Sequence, residues 1–218
     1  LFIPEPLVSA RITLDIATEL AYRGHDVTVI CPWPSRIITN REKAREYDVD
    51  LALRNIIVER VESYSCADSN LIGRARESLS FGRSVCSFLK NHRDDYDAVY
   101  MSMWPMLGQA LLVGFCARIN VRTIMHIQDL YPEAWLIRLP WWLRKVLAPP
   151  LISWDNSFVK SVSTAIVISE EMRNYYVFSR GVGGENIKVV YNWQADAPYV
   201  NAVGFDRGGG SEYGFSSE

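Results

Sequence analysis

One pattern limits this chain more than any other. Short apolar, β-branched runs alternate with stretches whose apolar residues recur at helical spacing, and the alternation holds almost to residue 191. Ile12, Ile16 and Leu20 share one helical face, with Ser9 as the predicted N-cap. Gly24 stands where a helix needs a left-handed C′ residue, and Val27-Thr28-Val29-Ile30-Cys31 follows as a strand. A helix between two strands is the crossover that a parallel pair requires. Ile56-Ile57-Val58, Ala98-Val99-Tyr100-Met101, residues 123–127, Ala165-Ile166-Val167-Ile168 and residues 187–191 repeat the strand signal. Between them, Ile72, Ala75, Leu79, Cys86 and Leu89 read as one helix stripe. Residues 106–118 read as a helix apolar on nearly every side, buried between layers. Leu1-Phe2-Ile3 reads as the end of another buried strand, and with no initiator Met the chain reads as a fragment. The predicted fold is α/β, a doubly wound parallel sheet of Rossmann-like type.

Composition removes several alternatives. Apolar residues make up 49% and charged residues 22% of the 218, which is globular usage. No apolar run reaches the roughly 20 residues of a membrane-spanning helix. A net charge of −2 argues against a broad nucleic-acid surface. Cys31, Cys66, Cys86 and Cys116 are widely spaced, without a CxxC or His-rich metal pattern, and read as reduced thiols of a cytosolic protein. Neither GxGxxG nor GxxxxGK[ST] occurs, so nicotinamide chemistry and ATP hydrolysis drop out. Five glycines between Gly204 and Gly214 mark a linker. The predicted organisation is a domain over 1–193 and a Gly-rich hinge over 194–218.

Ligands of doubly wound sheets bind beyond the carboxyl ends of the strands. That rule puts Glu5, Trp33, Trp104, Gln128, Ser169 and Asn192 on one rim, with Ser9 beside them. The most chemical stretch is His126-Ile127-Gln128-Asp129-Leu130-Tyr131-Pro132-Glu133, where a strand delivers a carboxylate and Pro132 delays the next helix. Asp129, His126 and Glu133 have the chemistry of general bases or their partners; the same spacing also suits a helix-capping carboxylate and a core histidine. Trp141 and Trp142 are followed by Arg144 and Lys145, the make-up of a segment lying in a lipid interface. A helix packed on the domain with its cations reaching outward fits equally well. Pro149-Pro150 is expected to break this segment into two pieces.

Several motifs in order resemble the N-terminal domain of family 4 glycosyltransferases of the two-domain GT-B fold. Phe2-Ile3-Pro4-Glu5 comes first, then residues 19–30, similar to the family's LA-x-RGH-x-V-x-V turn. Gln128-Asp129-Leu130-Tyr131-Pro132-Glu133 resembles the QDL-[WY]-PE segment of members acting in bacterial polysaccharide and lipopolysaccharide assembly. Residues 165–172 resemble A-x-V-x-S-x-x-M, and residues 188–193 a strand ending in Asn-Trp. Two positions depart from the pattern. The first loop, at 4–9, has no Gly-Gly, and Gln128 stands where many members place a His.

The resemblance implies a retaining transferase that moves a sugar from a nucleotide-sugar to an acceptor hydroxyl, with no metal and no cofactor beyond that donor. It implies that this domain binds the acceptor, a glycan or lipid-linked sugar, at the cytoplasmic face of the inner membrane. It also implies a C-terminal donor-binding domain that is absent here, so this piece alone is expected to be inactive. Asp129 is then the rim carboxylate, His126 second to it, and Glu133 the orienter. The alternatives are a membrane-docking subunit of a split glycosyltransferase and, ranked below it, a GT-B sugar epimerase.

Overall fold

The turn that ends the first helix shows how local chemistry sets the frame. Gly24 takes a φ of +87°, a conformation that any side chain would strain. The amide of His25 then bonds back to the Leu20 carbonyl, closing the helix so that the chain can enter the first strand. The computed structural model describes residues 2–4, 8–34, 41–66, 71–103 and 106–192. Glu5, Trp104, Trp193 and the hinge at 194–218 lie outside the described residues.

The elements run α1 (Val8–Tyr22), β1 (Val27–Pro32), α2 (Arg41–Ala52), β2 (Ile56–Val61), α3 (Leu71–Asn91), β3 (Ala98–Ser102) and α4 (Met106–Ile119). They continue through β4 (Arg122–Ile127), α5 (Glu133–Leu136), α6 (Trp141–Ser161), β5 (Thr164–Val167), α7 (Glu170–Asn174), a π-helical turn at Tyr175–Ser179, and β6 (Ile187–Val189). All strand pairs are parallel. They form two hydrogen-bonded sets, β1 with β2, and β3-β4-β5-β6. This is the mixed α/β, parallel architecture of a Rossmann-like half-domain.

Each sheet has its own core. Phe2, Ile3, Ala17, Cys31, Leu51 and Ile56 cluster around β1 and β2. A larger cluster includes Leu89, Met101, Val113, Cys116, Met125 and Val167. The two meet because Ile30 and Val61, on the first sheet, pack against the larger cluster. Burial pushes the Cys31 and Cys116 thiols up to about 11, so both behave as small hydrophobes.

Five expectations need correction. Phe2, Ile3 and Pro4 are buried but belong to no strand, with Ile3 and Pro4 in a turn and Leu1 outside the described residues; the Ile3 carbonyl accepts a 2.8 Å bond from Arg60 Nη2. Ser9 sits inside α1, which already begins at Val8, so it is not the cap. Ile72 is 84% exposed, off the buried stripe that ends at Leu89. Helix α4 buries one face only, through Gly108, Leu112 and Cys116, and leaves Leu111 at the surface. Helix α6 runs unbroken through Pro149 and Pro150. Both prolines are exposed, so water can satisfy the carbonyls whose helical donors they remove.

Candidate functional site

A cleft of about 360 Å³ opens at the carboxyl ends of β1 to β4. Helices α1 and α3 form its sides through Ser9, Thr13, Arg74, Glu77 and Ser78. The segment after β1 adds Trp33, and the one after β2 adds Glu62, Ser63, Tyr64 and Ser65. Strand β3 brings Tyr100 and Ser102, and β4 with its following loop brings His126, Gln128, Asp129 and Tyr131. Many of these side chains are hydroxyls or aromatic rings, which suits a ligand with many hydroxyls and apolar ring faces.

The charges inside are mostly answered. Arg41 Nη1 lies 2.8 Å from Glu62 Oε1, and Arg74 Nη1 lies 2.6 Å from Glu77 Oε2. The Arg41 guanidinium also covers the Trp33 ring at 4.7 Å. Asp129 is exposed at the mouth, and no ion pair engages it among the described residues. A carboxylate in that state can accept a proton or a hydrogen bond from a bound hydroxyl.

His126 forms part of the wall but is only 3% exposed. Strand register explains its partner. Ser102 lies opposite His126, and Tyr100, two residues back on the same face, reaches it diagonally. Tyr100 Oη and His126 Nδ1 are 2.5 Å apart, and His126 Nε2 has no hydrogen-bond partner among the described residues. Burial holds the imidazole below its ordinary pKa and the Tyr100 phenol above its own, so both are neutral near pH 7.

Glu133 does not line the cleft. Its carboxylate takes a 3.0 Å bond from Arg180 Nε, a second from Arg180 Nη2, and a 2.8 Å bond from Tyr175 Oη. Arg180 also pairs with the fully buried Asp155 and donates to the Tyr131 carbonyl at 2.7 Å. Glu133 therefore helps to anchor the loop that carries Asp129 and Tyr131, four and two residues before it. Burial lifts the Asp155 carboxyl to about 6, against the pull of Arg180.

The remaining predicted residues divide. Ser9, Trp33 and Gln128 line the cleft with Asp129 and His126. Ser169 does not; its hydroxyl accepts from the Met172 amide at 3.2 Å and caps α7. Asn192, after β6, lies away from the cleft lining as well. Trp141 and Trp142 are 71% and 57% exposed, with Arg144 and Lys145 exposed beside them. Residues 62–65 and Tyr100 were not anticipated. The first lie beyond the carboxyl end of β2, where the same strand-end rule would have found them. Among the described residues no group of three or more His, Cys, Asp or Glu could hold a metal ion.

Fold and cleft together define a class: a Rossmann-like parallel α/β fold with a polar, aromatic-lined cleft at its strand ends. The family profile of Glycosyltransferase Family 4 matches residues 9–193, and the chain belongs to that family. A solved structure with the same fold is Glycyrrhiza uralensis UGT73P12, complexed with glycyrrhetinic acid 3-O-monoglucuronide. The TM-score is 0.54 at 15% identity, over 90% of this chain and 47% of that one. The chain thus spans about half the length of that structure. A search of curated proteins finds no match.

Proposed function

We propose that this chain is the acceptor-binding half of a retaining glycosyltransferase of bacterial polysaccharide or lipopolysaccharide assembly. The nucleotide-sugar donor is held mainly by a second domain, without which this half transfers no sugar. The acceptor is a glycan or lipid-linked sugar whose reacting hydroxyl enters the cleft. As its oxygen bonds to the anomeric carbon on the same face that the nucleotide's phosphate leaves, so that configuration is retained, the bond to that phosphate breaks and the hydroxyl proton passes to Asp129. The observation that carries this reading is the cleft itself, with hydroxyls and aromatic rings along its walls and, at its mouth, the Asp129 carboxylate, which no ion pair engages among the described residues.

The same reading puts the protein on the cytoplasmic face of the inner membrane. Ile137, Trp141, Trp142 and Val146 are exposed apolar side chains, with Arg138, Arg144 and Lys145 exposed among them. Asp155, the acid of the surrounding segment, is buried and paired with Arg180. Apolar rings with cations at one surface suit an anionic lipid interface. No helix among the described residues is long and apolar enough to cross a membrane.

In the enzyme carrying both halves, Asp129→Asn is expected to lower turnover by about 10²–10⁴-fold. The thermal melt should stay unchanged, because the side chain is exposed. Wild-type turnover in that variant would remove Asp129 from the chemistry.

A further inference from the structure

The Tyr100–His126 contact bears on what the histidine can do in the cleft. The argument rests on the reading of that cleft as a sugar-acceptor site. Tyr100 Oη has one proton, and His126 Nδ1 is its partner at 2.5 Å among the described residues. A half-buried phenol that donates this proton leaves Nδ1 as the acceptor and puts the imidazole's own proton on Nε2. Nε2 has no partner among the described residues, and a buried donor left unpaired is destabilising. His126 lies in the cleft wall, so the natural partner for that proton is an oxygen of whatever the cleft binds.

We infer that Tyr100 is a positioning residue that holds His126 as the neutral, Nε2-protonated tautomer, which donates a hydrogen bond to a substrate oxygen instead of accepting the acceptor's proton. The ligand class is an oxygen acceptor, a sugar hydroxyl or phosphate oxygen. The division of labour follows: His126 orients, and Asp129 takes the proton. Nothing in the spacing of the sequence showed this, because Tyr100 and His126 are 26 residues apart.

Nitrogen-15 NMR of the chain labelled at its three histidines tests the first half without any substrate. His126→Gln identifies the His126 signals by their loss. At neutral pH, Nδ1 should resonate as an unprotonated, pyridine-type nitrogen and Nε2 as a protonated, pyrrole-type one. In Tyr100→Phe both should shift toward the average of the two tautomers while circular dichroism stays native. A protonated Nδ1 in the wild type overturns the inference, as do unchanged nitrogen shifts in Tyr100→Phe. If Tyr100→Phe does not fold, the wild-type spectrum alone still decides the tautomer. Transfer by the two-domain enzyme tests the second half. His126→Gln, which keeps an N–H near the Nε2 position, should retain turnover within about tenfold, and His126→Ala should fall well below it. A Gln variant as inactive as the Ala variant would make His126 a base and sink the assignment. The NMR result stands whether or not Asp129 proves essential, so the two readings fail separately.

Discussion

His126 also leaves a mark on stability. Burial lowers its pKa in the folded chain, whereas the unfolded chain titrates near its ordinary value of about 6.5. Below that pH the unfolded state takes up a proton that the folded state refuses. Stability from this group is therefore full above about pH 6.5 and falls on acidification, by up to about 1.4 kcal/mol per pH unit, until the lowered folded pKa is reached. Asp155 acts in the opposite direction. With its folded pKa raised to about 6, the native state holds a proton that the unfolded state lacks down to the ordinary 3.8. The contribution of His126 is thus isolated by comparison with His126→Gln, which retains Asp155. Urea melts near pH 7 and pH 5.5 should show the wild type losing stability relative to the variant on acidification. Parallel pH dependences would mean that the imidazole protonates as freely in the fold as out of it. At this scale the sequence was partly readable. Asp129 and His126 stood out because a strand end must deliver its next residues to the rim. The true partners of Glu133 did not, since Arg180 lies 47 residues away and no local period links them.

Elements were read best where the physics is local. Six apolar runs became β1 to β6, and Gly24 ended α1 as its backbone freedom requires. Misreadings arose where tertiary surroundings decide. A double proline breaks a helix only if its freed carbonyls lack a partner, and at Pro149 and Pro150 the exposed surface supplies water. Periodicity likewise could not tell whether the tryptophans that open α6 face the core or the solvent. The structure turns Trp141 and Trp142 outward and leaves Trp154 half-buried, where it meets Phe158 edge to face at 4.7 Å. If the outward face docks on lipid, the chain should co-sediment with anionic phosphatidylglycerol vesicles. The double variant Trp141→Ser, Trp142→Ser should then bind at least tenfold more weakly, about 1.4 kcal/mol, with a native circular dichroism spectrum. Equal binding by both forms would take these rings out of the membrane contact, and no binding by either would favour a soluble acceptor.

For the whole molecule, the parallel sheets gather groups from seven segments into one cleft, in a chain that belongs to Glycosyltransferase Family 4. The strand-end rule anticipated the side of the sheet but overreached in extent. It enrolled the ends of β5 and β6, whereas the cleft is built from β1 to β4 with α1 and α3. The central claim is that this cleft receives the acceptor and leaves the donor to another domain. Trp33 tests it best, because its ring belongs to the cleft wall and lies away from Asp129's chemistry in the chain. Steady-state kinetics of the two-domain enzyme should be measured for Trp33→Ala, varying the nucleotide-sugar and the lipid-linked acceptor in turn. The account predicts an acceptor KM raised roughly tenfold, about 1.4 kcal/mol of lost ring contact, with the donor KM unchanged. A raised donor KM beside an unchanged acceptor KM would contradict it and make the cleft a donor site.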